Sequence, residues 1–98
     1  MTNPLTFADF QQHIRDKYFA ADNARGVPGT WLWFSEEVGE LAQALGRREQ
    51  GKEDAANTAE EFADVLAWLT TLANIAGVDL EQAVRNKYLT GGGPVGTK

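Results

Sequence analysis

Apolar residues recur along this chain at intervals of three and four positions, which is the spacing of a helix that buries one face. No segment has the alternating pattern that is typical of a strand. The sequence therefore predicts an all-α protein of the four-helix bundle type, with a core built from the apolar stripes. The three longest stripes are Phe7, Phe10, Ile14 and Tyr18, then Trp31, Phe34, Val38, Leu41 and Leu45, then Phe62, Val65, Leu66, Leu69, Leu72 and Ala76.

Residues that begin and end helices separate these stripes. Thr6 can cap the first helix and Thr30 the second, because a threonine hydroxyl accepts a hydrogen bond from the first helical turn. Glycine and proline residues predict a break across 21–30. The third helix is expected to begin within 54–58, and Gly77 suits its C-terminal cap.

A short fourth helix and a tail complete the predicted organisation. Asp79 can cap the fourth helix, in which Leu80 and Val84 are expected to face inward. Residues 1–90 then form one helical domain, and the glycine-rich residues 91–98 form a flexible tail.

Composition narrows the possible functions. The chain has 98 residues, a net charge of −5 and no cysteine. The length indicates one domain, and the negative charge argues against a nucleic-acid duplex as partner. The lack of cysteine excludes disulfides and thiolate metal sites. No apolar run is long enough to span a membrane, and the N-terminus lacks a signal-peptide pattern, so a cytoplasmic protein is expected.

Two acidic pairs are the main chemical feature. Glu37 and Glu40 lie three residues apart, as do Glu61 and Asp64, and residues at this spacing share one face of a helix. If the two helices face each other, the four carboxylates meet. Without a cation such a cluster is energetically unfavourable, because its like charges repel one another. Its oxygen ligands suit Mg²⁺, and also Mn²⁺.

The alternative is that these residues are ordinary solvated charges, since glutamate-rich helices are common. Two observations weigh against it. On a helical wheel both pairs lie at the margin of the apolar stripe rather than opposite it. In addition, no basic residue stands four positions later to neutralise either pair, where the chain has Leu41, Ala44, Val65 and Trp68.

Two tryptophans lie close to the acidic pairs on the same wheels. Trp33 is one turn before Glu37, and Trp68 is one turn after Asp64. In antiparallel helices both indoles would reach the same end of the acidic site, where they would suit a nucleobase. Core packing is the alternative for Trp68, and it is favoured for Trp31.

These residues give the chain a specific family resemblance. It resembles the MazG-like nucleotide pyrophosphohydrolases of the all-α NTP pyrophosphatase superfamily through Glu36-Glu-Val-Gly-Glu-Leu41 and Glu60-Glu-Phe-Ala-Asp-Val-Leu66. The resemblance covers roughly residues 6–88. Further matching residues are Asp22, Arg25, Gly26, Thr30, Leu72 to Asn74, Gly77 to Leu80, and Ala83 to Tyr88.

The resemblance implies hydrolysis of a nucleoside triphosphate to the monophosphate and pyrophosphate, with Mg²⁺, by a homo-oligomer, either a dimer or a tetramer. It implies that Glu37, Glu40, Glu61 and Asp64 are metal ligands, and that Glu36 orients or deprotonates the attacking water. The implied substrate-binding residues are Trp33, Trp68, Lys87, Arg25 and Asn74, with Lys87 at the phosphates.

The tail departs from the family pattern. Many relatives place an asparagine and an arginine where this chain has Gly91 to Pro94. The phosphate contacts could instead come from Arg25, Arg85 or a second subunit. A second hypothesis therefore stands beside the enzyme: a non-catalytic helical oligomerisation or nucleotide-sensing module that retains the acidic metal site.

Overall fold

The computed structural model describes residues 4–91, and this part of the chain is helical without any strand. The predicted all-α class is confirmed. The predictions for the tail fall on residues 92–98, outside the described residues, except for Gly91. Helix α1 packs mainly on α2. The elements are α1 (Phe7–Glu49), α2 (Ala55–Ala76), α3 (Leu80–Val84) and a π-helical turn (Arg85–Leu89).

The predicted helix caps are largely confirmed. The side chains of Thr6, Asp54 and Asp79 each accept a hydrogen bond from the backbone N–H three residues later. These bonds satisfy N–H groups that have no partner inside the helix. Gly77 ends α2 in the left-handed conformation, with φ of +73°. Glycine adopts this conformation without the steric cost that a Cβ atom brings.

The predicted break between the first two helices is much shorter than expected. Only Gly26 departs from helical geometry within α1, with φ of +76° and ψ of 176°. Pro28 follows within the first turn after the kink, where a missing N–H costs no intrahelical hydrogen bond. The predicted capping role of Thr30 is wrong, because Thr30 lies inside the helix and is fully buried.

The core of the single chain is small. Ile14, Ala44 and Ala73 are its buried apolar residues, and Leu80 and Val84 are half-buried. Contacts within the single chain leave much of each predicted apolar stripe uncovered. Large apolar side chains from the predicted stripes that remain exposed are Phe7, Tyr18, Trp31, Val38, Leu45, Phe62, Leu66 and Leu69.

Candidate functional site

The two acidic pairs meet at the contact between α1 and α2. Oxygen atoms of Glu37, Glu61 and Asp64 lie within 4.8 Å of one another. The carboxyl group of Glu40 lies near enough to interact with both Glu37 and Glu61. The predicted gathering of the carboxylates is therefore confirmed, and it follows from the spacing of each pair on its helix.

The crowding of negative charge changes the acidity of two of these groups. Burial raises the pKa of Glu37 from 4.5 to about 6, and the charges of Glu40, Asp64 and Glu61 add to the rise. Burial likewise raises the pKa of Glu61, and the charges of Glu40 and Asp64 add to the rise. The salt bridges within 4–91 join other residues, so no basic side chain neutralises this cluster. The raised pKa values therefore follow from burial and from like charges that no cationic side chain offsets.

The cluster fits a hard divalent cation. Oε2 of Glu37 and Oε2 of Glu61 are both buried, and neither has a hydrogen-bond partner among the described residues. Buried oxygens of this kind normally have a partner, because their loss of water is otherwise uncompensated. Carboxylate oxygens are the ligands that Mg²⁺ and Mn²⁺ prefer. A cation held by Glu37, Glu61 and Asp64, with Glu40 beside them, would satisfy both orphaned oxygens.

The two tryptophans beside the cluster stack on each other. The ring centroids of Trp33 and Trp68 are 6.1 Å apart, and the ring planes differ by 15°. The predicted meeting of the two indoles is therefore confirmed. Trp68 is half-buried and Trp33 is 48% exposed, so the pair forms a partly open aromatic surface. Trp31, for which a core position was favoured, is 55% exposed.

A buried polar network holds Arg25 against this aromatic pair. Its guanidinium carbon lies 5.1 Å from the centroid of the Trp68 ring. Arg25 Nη1 and Nη2 donate to Oδ1 of Asp22 at 3.2 and 3.0 Å, and Nη1 also donates to Thr30 Oγ1 at 3.2 Å. Gly29 permits this placement, since a Cβ atom there would lie 2.8 Å from Arg25 Cγ.

The sequence-based predictions name Asp22 and Arg25 but do not include the ion pair that they form. Asp22 and Arg25 have the three-residue spacing of a helical ion pair, which is the signal that could have identified them. The signal was obscured because residues 21–30 were predicted to be irregular. In the structure the helix continues to Gly26, and both side chains therefore lie on one face.

Asn74 belongs to a different network, at the other end of α2. It lies ten residues beyond Asp64, which is about 15 Å along the helix axis. Its Oδ1 accepts from Gln11 Nε2 at 3.1 Å, and its Nδ2 donates to the Gln11 carbonyl at 3.4 Å. Asn74 is buried, so its structural role is clear, while its substrate contact remains a prediction.

The two remaining predicted site residues are exposed. Glu36 precedes Glu37 on α1, with its side chain in solvent. Lys87 lies in the π-helical turn, with Nζ 5.9 Å from the centroid of the Tyr88 ring. Their roles at water and phosphate remain predictions.

A membrane-spanning helix is not evident within residues 4–91. None of the helices there is long and apolar enough by itself to cross a bilayer. The pair Ala55–Ala76 and Leu80–Leu89 meets the criteria only when taken together, and it is bent by 101°.

Comparison with known proteins agrees with the site geometry. A family model described as the MazG nucleotide pyrophosphohydrolase domain matches residues 28–88, which include both acidic pairs and both stacked tryptophans. A comparison with curated proteins gave no match. The family match covers more than half of the chain, and the chain therefore belongs to the MazG nucleotide pyrophosphohydrolase family.

Proposed function

We propose that the protein hydrolyses a nucleoside triphosphate to the monophosphate and pyrophosphate, with Mg²⁺ or Mn²⁺ as the required ion. The observation that carries this proposal is the pair of orphaned, buried oxygens on Glu37 and Glu61, beside an aromatic stack. The family match supports nucleotide pyrophosphohydrolase activity in general.

The acidic cluster is the proposed reaction centre. Glu37, Glu40, Glu61 and Asp64 would hold a divalent cation, which would supply positive charge toward the phosphate oxygens and make a water molecule more acidic. The water oxygen bonds to the α-phosphorus while the bond to the α–β bridging oxygen breaks. Pyrophosphate leaves, and Glu36 orients the water or accepts its proton.

The remaining residues are assigned to substrate binding. Trp33 and Trp68 bind the base, which is consistent with their partly open stack. Arg25 lies beside that stack and therefore acts at the base end of the nucleotide. Lys87 is proposed to neutralise charge on the leaving pyrophosphate. Asn74 stays a weaker candidate, since its amide group is already hydrogen-bonded to Gln11.

We further propose that a second copy of the chain completes the helical bundle, as a dimer or tetramer in the cytoplasm. The exposed apolar residues of the predicted stripes, such as Phe62 and Leu69, support this assembly. Apolar surface of this extent usually marks an interface. Light scattering coupled to size-exclusion chromatography measures the number of copies, and a monomer would contradict the proposal.

Pyrophosphate release from a panel of nucleoside triphosphates tests the reaction. We expect release with Mg²⁺ or Mn²⁺ and none with EDTA, because the carboxylates alone cannot neutralise the phosphates. Release of orthophosphate instead would indicate attack at a different phosphorus. Nucleotide binding without turnover of any triphosphate would favour the non-catalytic sensing module.

A further inference from the structure

Asp22 carries a buried oxygen that the proposed reaction does not use. The residue is 4% exposed. Its Oδ1 accepts both hydrogen bonds from Arg25, whereas its Oδ2 is closed to water and has no partner among the described residues. An acceptor that has lost water without gaining a donor is costly, and it is more so on a charged group. The free oxygen is therefore an acceptor that can take a hydrogen bond from a ligand's donor.

A cavity beside Asp22 has the size and lining of a small-molecule site. Its volume is about 440 Å³, within the usual range for ligand pockets. Its walls combine apolar and aromatic side chains with one acidic residue, one basic residue and the hydroxyl residue Thr71, a composition usual for such pockets. Among the lining residues, Ile14, Tyr18, Ala67 and Trp68 form the apolar and aromatic walls, and Asp22 and Arg25 are the charged pair.

We propose that Asp22 selects the nucleobase, with Oδ2 accepting a hydrogen bond from an exocyclic amino group of cytosine or adenine. The inference rests on the proposed function, whose substrate class it narrows. Uracil and hypoxanthine carry a carbonyl oxygen where cytosine and adenine carry that amino group. A carbonyl oxygen would face the carboxylate without a proton between them, so these bases are rejected.

Access to Oδ2 requires one side chain to move. Arg25 is the suitable one, because 27% of its side chain is exposed whereas only 6% of the Asp22 side chain is. Its guanidinium has five N–H donors, so it can keep a bond to Oδ1 while it shifts across the Trp68 ring. The base then enters between the apolar wall and Asp22.

Binding of nucleoside monophosphates tests the selection without turnover. Isothermal titration calorimetry with Mg²⁺ present compares dCMP with dUMP, and dAMP with dIMP. In each pair the amino group is replaced by a carbonyl oxygen, and the neighbouring ring nitrogen gains a proton. We expect the wild-type protein to bind the amino base at least about tenfold more tightly. In Asp22→Asn the preference should fall to near unity, because an amide can also donate to a carbonyl oxygen.

Asp16→Asn is the matched control, since Asp16 is an exposed carboxylate on the same helix and accepts only from Gln12 in the structure. It should keep the wild-type preference. Equal affinities in wild type, or an unchanged preference in a folded Asp22→Asn protein, would overturn the inference. If Asp22→Asn does not fold, the test uses the wild-type protein and compares its affinity for dCMP with that for the 2-pyrimidinone analogue, which lacks the amino group. Affinity equal to that of dCMP would then overturn the inference.

The two proposals fail separately. A base preference without pyrophosphate release from any triphosphate would contradict the proposed reaction and leave the role of Asp22 standing. Pyrophosphate release together with equal binding of both members of each pair would support the proposed reaction and contradict the role of Asp22.

Discussion

The two ends of the α1–α2 contact bury polar side chains in opposite ways. At one end Gln11 donates to Asn74 Oδ1 and to the Val78 carbonyl, and it accepts from the Leu80 N–H at 2.9 Å. We call this set the Gln11–Asn74 clamp. At the other end Glu37 and Glu61 hold buried oxygens without partners.

The difference separates a structural network from a functional one. Neutral amides that hydrogen-bond to one another stabilise the contact between α1 and the turn into α3. Crowded carboxylates repel one another at the same helix contact, and a bound cation would relieve that repulsion. Buried polar residues therefore indicate a site here only where their hydrogen-bonding capacity is unfilled.

The largest effect should come from removing one carboxylate of the acidic cluster. Glu61→Gln keeps the side-chain shape but removes a charged ligand, so we expect pyrophosphate release to fall about 100-fold or more. The melting temperature in EDTA should stay level or rise, because repulsion is relieved. Steady-state kinetics at saturating Mg²⁺ and thermal unfolding measure the two quantities.

Glu49→Gln is the matched control for this change in charge. Glu49 lies at the end of α1 with 79% of its side chain exposed, and its partner is Arg48. The activity of the Glu49→Gln variant should match that of the wild-type protein. A Glu61→Gln protein with near wild-type turnover would show that the cluster is not the reaction centre.

The Gln11–Asn74 clamp should respond in the opposite way. Gln11→Ala leaves Asn74 Oδ1 and the Leu80 N–H without a partner, while Asn74 Nδ2 keeps its bond to the backbone carbonyl of residue 11, and the loss should cost about 1–3 kcal/mol of unfolding free energy. Catalytic rate per folded molecule should change little. Urea unfolding gives the stability, and kinetics at low temperature give the rate.

Asn74→Ala sharpens this comparison, because Asn74 is also a predicted substrate contact. If Asn74 is only structural, the KM of the Asn74→Ala variant should match that of a Gln11→Ala variant that has lost the same amount of stability. A KM that rises well above the Gln11→Ala value would assign Asn74 to the substrate as well.

Most of the helix boundaries and the acidic site could be predicted because both depend on local spacing. A capping side chain or an i, i+3 pair acts within one turn, so Thr6, Gly77, Asp79 and the acidic pairs can be identified from the sequence. The break at Gly26 was located but overestimated, since glycine and proline signal irregularity without fixing its length.

Side-chain exposure and hydrogen-bond partners could not be predicted, because they depend on which helices pack against each other in three dimensions. The exposure of Phe62 or Leu69 depends on neighbours that the periodicity of a single helix does not identify. The orphaned oxygen of Asp22 depends on how Arg25 divides its hydrogen bonds between the two carboxylate oxygens. Neither is a property of residue type or spacing.

Metal binding should stabilise the acidic end selectively. A ligand that prefers the folded state adds about 1.4 kcal/mol of stability at ten times its dissociation constant. We therefore expect a higher melting temperature with Mg²⁺ or Mn²⁺ than with EDTA. The rise should vanish in a Glu37→Ala, Glu40→Ala double variant and persist in Gln11→Ala. An equal rise in the double variant would indicate a nonspecific effect of the ions.

The smallest expected effect is a pH dependence that only the acidic end contributes. The Glu37 pKa is raised from 4.5 to about 6, equivalent to about 2 kcal/mol, which solvent screening reduces to about 1 kcal/mol. Because the folded state holds this proton more tightly, the contribution is complete below pH 4.5 and is lost as the pH rises through 6. Urea unfolding in EDTA should therefore show stability falling across that window in wild type and in Gln11→Ala. Glu37→Gln should flatten the fall, because it removes the titrating group while leaving the uncharged clamp unchanged. The same slope in Glu37→Gln would assign the titration to other groups and would remove the pH contrast between the two ends.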